Sequence, residues 1–184
     1  MDAFILAGGL STRMGEEKGL VSFCGKPMIE YTIDLLHLLN FNITVISSNA
    51  EYKKYSLPLV SDVVSQVGPA GGILTAMEYS SSEHFLLVAC DMPLLQEHSI
   101  SKLQNSIGNH KSCMYSFNGK LEPLCGFYSK SMRELWRKKL EEGDKKLSIL
   151  LQAFDVKLIS LDQEPADLKS FNSKAEIDSF EKEI

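Results

Sequence analysis

Phe4-Ile5-Leu6-Ala7-Gly8-Gly9-Leu10-Ser11-Thr12-Arg13-Met14-Gly15-Glu16-Glu17-Lys18 is the stretch on which the fold turns. Its first four residues make a short apolar strand that the glycine pair stops, and the remainder is a loop leaving the strand's carboxyl end. In open α/β sheets, ligands sit just beyond that edge. Glycines let backbone N–H groups approach oxyanions closely, Ser11 and Thr12 add hydroxyls, and Arg13 and Lys18 bring charge to phosphate oxygens. The loop therefore reads as a triphosphate cradle. Two better-known phosphate loops fail on spacing: Gly8, Gly9 and Gly15 do not form GxGxxG, and Gly25-Lys26 is followed by Pro27 where GxxxxGK[ST] needs a hydroxyl. The plainer alternative is a tight turn with two surface cations nearby. The basic residues behind the glycines favour phosphate.

Outward from this loop, strand-like and helix-like segments alternate to the far end of the chain. Strands are expected at 42–47, 57–60, 84–90 and 156–161, and helices at 28–39, 68–79, 97–107, 130–142, 147–154 and 174–182. That alternation predicts an α/β fold, a mainly parallel sheet with helices on both faces. Segments 112–117 and 124–128 flank Asn118-Gly119 and predict a small β-ribbon, with an offset that leaves room for a loop longer than two residues. No repeat or linker interrupts the pattern, so residues 1–184 are expected to form a single domain.

Composition narrows the function. Nineteen basic against twenty-four acidic residues give a net charge of −5, which argues against a nucleic-acid or anionic-membrane surface. The longest apolar runs, such as Phe85 to Cys90, are strand-sized, and Met1-Asp2-Ala3-Phe4 lacks the basic stretch of a secretory signal. A soluble, cytoplasmic protein with no membrane partner is expected. Cys24, Cys90, Cys113 and Cys125 show no metal-ligand spacing and read as reduced thiols without a chemical role. The four histidines are scattered, and Trp136 reads as a helix core residue.

Asp91 is the second chemical signal. It directly follows the apolar strand and precedes Met92-Pro93, where a strand-edge carboxylate can hold Mg²⁺ against a triphosphate; its plainer alternative is a capping aspartate. Asp62 also ends a strand, ahead of Gly68-Pro69-Ala70-Gly71-Gly72, whose glycines could admit a base or ribose. It reads equally as an ordinary strand-to-helix turn.

Leu6-Ala7-Gly8-Gly9 followed by Arg13-Met14-Gly15 and Lys18, then Gly25-Lys26-Pro27, resembles the N-terminal signature of the molybdenum cofactor guanylyltransferase family. Gly68 to Gly72, Cys90-Asp91-Met92-Pro93, Glu122-Pro123-Leu124 and Phe171-Asn172 follow in the family's order. The resemblance implies a Rossmann-like three-layer sandwich that takes GTP and Mg²⁺, joins GMP to the terminal phosphate of molybdenum-bearing molybdopterin, and releases pyrophosphate. It further implies that Leu6, Ala7 and Gly8 contact the guanine nucleotide, Lys18 its phosphates, Asp62 the nucleoside part, and Asp91 both nucleotide and Mg²⁺. Arg13 would assist the pyrophosphate. A molybdoenzyme or another cofactor-biosynthesis protein is the implied protein partner. The chain departs from the family at Ser47-Ser48-Asn49, where the second strand often ends in asparagine. It departs again at Ser170 to Lys174, which keeps one asparagine and lacks the family's proline.

Two other readings compete. A cytidylyltransferase acting on the same pterin or on a sugar or polyol phosphate could use the same loop and metal aspartate, although cytidine users more often carry alanine at the position of Gly8. A non-catalytic nucleotide-binding module that delivers cofactor would keep the loop but tolerate loss of Asp91.

Overall fold

The apolar strand that opens the chain becomes an inner strand of the sheet. The computed structural model describes residues 1–8 and 17–183. Among these, seven strands form one sheet: β1 (Asp2–Leu6), β4 (Asn42–Ile46), β5 (Leu59–Val60), β6 (His84–Ala89), β7 (Ser112–Phe117), β8 (Lys120–Ser129) and β9 (Val156–Leu161). Their order is β5-β4-β1-β6-β8-β7-β9, and only β8 runs antiparallel to its neighbours. Two short strands, β2 (Ser22–Phe23) and β3 (Lys26–Pro27), pair separately.

Strand side chains alternate between faces, and the core divides accordingly. Ala3, Ile5, Leu86, Val88, Cys113 and Tyr115 face one cluster, which helices α1 (Met28–Leu38) and α3 (Glu97–Ser106) cover through Ile29, Ile33, Leu36, Ile100 and Leu103. Phe4, Phe85, Leu87 and Met114 face the other. There α2 (Pro69–Tyr79), α4 (Arg133–Glu141) and α5 (Leu147–Leu150) contribute Ile73, Leu74, Trp136, Leu140 and Leu150. Each such side chain contributes about 1.5–3 kcal/mol on burial. Trp136 is fully buried, and its indole N–H donates to Ala70 O at 3.0 Å, tying α4 to α2. The result is the three-layer sandwich expected from the alternating pattern.

The ribbon differs from expectation in two ways. It is not an appendage, because β8 inserts between β6 and β7 and completes the sheet. Its loop is two residues long, with Asn118 and Gly119 at φ 48° and 75° and Phe117 opposite Lys120, as a type I′ hairpin requires. The apparent offset comes from a bulge: Tyr115 pairs with Glu122, but the preceding Met114 pairs with Gly126. Pro123, which cannot donate to a ladder, sits in that bulge.

A third, smaller cluster lies outside the sandwich. Phe23 from β2, Met28 and Phe171 pack with Ile177 of α6 (Lys174–Glu183), so the last helix closes against the turn that precedes α1.

Candidate active site

From β1 the chain steps outward to β4 and β5, then crosses back to β6 on the other flank. The switch point therefore lies between β1 and β6, where parallel strands open a crevice at their carboxyl ends. Two backbone bonds extend the strands into it: Ala7 N–H donates to Ile46 O and Cys90 N–H to Leu6 O, both at 3.0 Å. Leu6, Ala7 and Gly8 are thereby held between the ends of β4 and β6. A Cβ built on Gly8 would meet Ile46 O at 3.7 Å and Ser47 Cα at 3.8 Å, ordinary contacts. Packing against the described residues thus does not require glycine there. Residues 9–16, among them Arg13 and most of the expected cradle, lie outside the described residues.

Asp91 ends the other side of the crevice and is 6% exposed. Its Oδ2 pairs with the Lys18 ammonium. Its Oδ1 is buried and has no hydrogen-bond partner among the described residues. A buried carboxylate oxygen left unpaired costs about 1–3 kcal/mol, so this atom has capacity for a partner beyond the described residues. Lys18 begins a 3₁₀ turn, Lys18–Leu20, and also donates to Asn172 Oδ1 at 2.7 Å. Asn172 is itself held, its N–H donating to Glu176 Oε2 at 2.7 Å and its amide to Ser170 Oγ at 3.2 Å. Phe171 N–H donates to Asp91 O at 3.0 Å, which brings the C-terminal segment to the crevice.

Residue types alone did not single out Asn172 as a site residue, and Glu122 is a second such case. The β6–β8 register ends at Val88 and Cys125, and Glu122, three residues before Cys125, lies close enough to Asp91 for the two charges to interact. Burial raises the Glu122 carboxyl above the usual range; the Leu124 N–H opposes this, and the charges of Asp91 and Glu164 add to it. Its sequence signal was its place in Glu122-Pro123-Leu124, one of the motifs that carry the family resemblance.

Asp62 stands apart. It follows β5, and β4 and β1 separate it from β6, about 14 Å at three strand spacings. The residue is exposed, yet its carboxyl leans on α2 with Oδ1 3.5 Å from Thr75 Oγ1. That hydroxyl has a better acceptor in Gly71 O at 2.9 Å, so the contact with Asp62 is weak. Burial against α2 raises the Asp62 carboxyl, opposed by Thr75. A Cβ on Gly72 would overlap Leu6 Cδ2 and stand 3.6 Å from Asp62 Oδ1, so glycine there lets Leu6 and Asp62 share one wall. The structure thus joins Lys18 to Asp91 and sets Leu6 and Asp62 beside Gly72.

Asn49, at the departure after the second strand, is already engaged: its Oδ1 accepts from Glu51 N–H at 2.9 Å as a helix cap. No group of three or more His, Cys, Asp or Glu residues among those described could hold a metal. An ion here would rest on Asp91 and on ligand oxygens. The thiols of Cys90, Cys113 and Cys125 are pushed up by burial, which keeps them unreactive.

A model of the MobA-like NTP transferase domain matches residues 3–158, most of the chain. The chain belongs to that family. It is a nucleotidyltransferase, and relatives extend the match beyond the domain model. A probable molybdenum cofactor guanylyltransferase of Flavobacterium johnsoniae is 33% identical over 185 residues, covering 98% of this chain and 96% of the relative. One from Carboxydothermus hydrogenoformans is 31% identical over 165 residues, covering 90% of this chain and 84% of its own. Molybdopterin-guanine dinucleotide biosynthesis protein A from Archaeoglobus fulgidus superposes with a TM-score of 0.83 over 99% of this chain and 97% of that one; at 20% identity it speaks for the fold. Within the MobA-like family the crevice just described falls inside the matched domain, whereas Asn172 lies beyond it.

Proposed function

We propose that the chain transfers GMP from GTP to molybdopterin carrying molybdenum, releasing pyrophosphate, as one nucleotidyltransferase domain spanning residues 1–184. The observation that carries this reading is Asp91, a buried carboxylate at the switch point with one oxygen on Lys18 and the other unpartnered among the described residues. The names of the relatives supply the nucleotide and the acceptor.

The hard, negatively charged Oδ1, unpartnered among the described residues, fits Mg²⁺. Asp91 would hold the ion with triphosphate oxygens, and the ion would supply charge neutralisation there. The reaction is an in-line displacement. A terminal phosphate oxygen of the pterin bonds to the α-phosphorus as the bond to the bridging oxygen of the β-phosphate breaks, and pyrophosphate leaves with that electron pair. Lys18 and Arg13 stabilise the charge growing on the pyrophosphate. The backbone at Leu6, Ala7 and Gly8 receives the guanine nucleotide, held at the switch point by the bonds of Ala7 N–H to Ile46 O and Cys90 N–H to Leu6 O. Asp62, across the sheet edge from Asp91, contacts the nucleoside part. No side chain forms a covalent intermediate; catalysis comes from positioning and charge. A molybdoenzyme or another cofactor-biosynthesis protein would receive the product. Cytoplasmic placement belongs to the same reading, and no described helix is long and apolar enough to cross a membrane.

Pyrophosphate release with Mg²⁺ and molybdenum-loaded molybdopterin, with GTP and CTP in parallel, tests this. GTP-dependent release lost in Asp91→Ala is the expected result. CTP-dependent release would move the chain to the cytidylyl reading, and no release with either nucleotide would sink the assignment.

A further inference from the structure

A carboxylate directly before a phosphate-binding lysine is electrostatically out of place, and Glu17 stands there. The structure ties that carboxylate elsewhere. Tyr52 Oη donates to Glu17 Oε1 at 3.3 Å and Asn49 Nδ2 to Glu17 Oε2 at 3.4 Å. Both donors are themselves constrained. Tyr52 is 1% exposed, and burial, with the charges of Cys90 and Glu17 adding to it, keeps its hydroxyl protonated far above the ordinary range. Asn49 cannot exchange its amide ends, because its Oδ1 caps Glu51 N–H and only its NH₂ is left for Glu17.

The other side of Lys18 is equally confined. A Cβ on Gly19 would stand 2.8 Å from Tyr52 Oη and 3.1 Å from Cys90 Sγ, so the backbone is pressed into a slot between them. Leu20 N–H to Glu17 O at 2.9 Å and Val21 N–H to Lys18 O at 3.3 Å close the turn. Tyr52 and Asn49 follow β4, whereas Cys90 follows β6, so the return of the glycine loop is tied to both flanks of β1.

We propose that Glu17 is a positioning residue for transfer. Gripped by Asn49 and Tyr52, it fixes the backbone from which Lys18 reaches Asp91 and Asn172. This rests on the reading of Lys18 as a phosphate ligand. Glu17 touches no substrate, and its effect on turnover runs through Lys18.

The test compares Glu17→Gln, Tyr52→Phe, Lys18→Ala and the Glu17→Gln/Lys18→Ala double variant in the full chain, with melting temperatures recorded. In the pyrophosphate-release assay, Glu17→Gln and Tyr52→Phe should each lower kcat about tenfold while GTP KM moves less than about threefold. Glu17→Gln should cost nothing further once Lys18 is alanine. A clamp that merely stabilises the fold would lower activity by the same factor in both backgrounds, and that result overturns the proposal. Unchanged kcat in Glu17→Gln beside an impaired Lys18→Ala overturns the clamp alone; full activity in Lys18→Ala overturns the clamp and the Lys18 reading together. Binding of magnesium pyrophosphate by calorimetry needs no pterin and is the second readout. Weakening in Glu17→Gln that vanishes in the Lys18→Ala background supports the clamp even if transfer fails, and no weakening beside a weakened Lys18→Ala overturns it. If Glu17→Gln does not fold, Tyr52→Phe alone and with Lys18→Ala decides on the same terms.

Discussion

Asp2 and Asp91 stand at opposite edges of the same sheet, 8% and 6% exposed, and the protein treats them in opposite ways. Asp2 opens β1 at the amino edge, where its Oδ2 accepts from Ser80 Oγ at 3.0 Å, Ser81 N–H at 2.7 Å, Ser81 Oγ at 2.9 Å and Ser82 N–H at 3.0 Å. Asn42 Nδ2 donates to its Oδ1 at 3.3 Å. Asp91 follows β6 at the carboxyl edge, where one cation takes one oxygen and nothing described takes the other. A saturated buried carboxylate holds structure together, whereas a half-satisfied one leaves capacity for a ligand. Burial does not distinguish these two sites; completeness of hydrogen bonding among the described residues does.

The contrast breaks most visibly at Asp91. Asp91→Asn keeps the shape but loses the charge, and should lower kcat by about 10²–10³-fold with little change in melting temperature. Pyrophosphate release beside thermal unfolding checks both halves, and an activity near that of the native protein would refute the contrast. Lys18→Ala should follow at about 10²-fold in kcat, with Lys18→Arg recovering part of it, because arginine keeps the charge but not the compact ammonium.

At the other edge the signs reverse. Asp2→Ala strands the donors of Ser80, Ser81 and Ser82 and should cost about 2–3 kcal/mol in denaturant unfolding while leaving KM and kcat unaltered. Acid titration sharpens this. Burial alone would raise the Asp2 carboxyl, but Ser81, Ser82 and Asn42 more than offset it and hold it at about 2, below the ordinary 3.8. A folded-state pKa below the unfolded one stabilises above the unfolded value, so this contribution, about 2 kcal/mol, should vanish as pH falls from about 4 to 2. The stability-versus-pH curve of Asp2→Ala should be flatter in that window. The smallest effect is expected at Asp62, exposed and held by one long contact: Asp62→Ala should raise GTP KM about three- to tenfold with kcat nearly unchanged.

Much of this molecule was legible before its structure. The strands at Phe4, Asn42, His84 and Val156 and the helices between them announce themselves through runs of a few residues, since periodicity and turn chemistry act over one or two turns of chain. The two strand-end aspartates and Lys18 were visible for the same reason. The place of β8 was not, because an antiparallel insertion is decided by which neighbour a hairpin finds, and the bulge at Met114 disguised its register. Nor was the contact of Asn172 with Lys18, which spans 154 positions of sequence.

Local chemistry thus determined that an α/β sheet would carry a glycine loop and two acidic strand ends at its carboxyl edge. Tertiary structure alone decided that Asp91 would be buried, with one oxygen lacking a partner among the described residues, and that Asp62 would stay exposed beside α2. It alone decided that Glu17 would bond to Tyr52 and Asn49. The reason is physical: a residue's type and spacing set what it can bond to, but burial and partner choice depend on elements that meet only when the chain closes on itself.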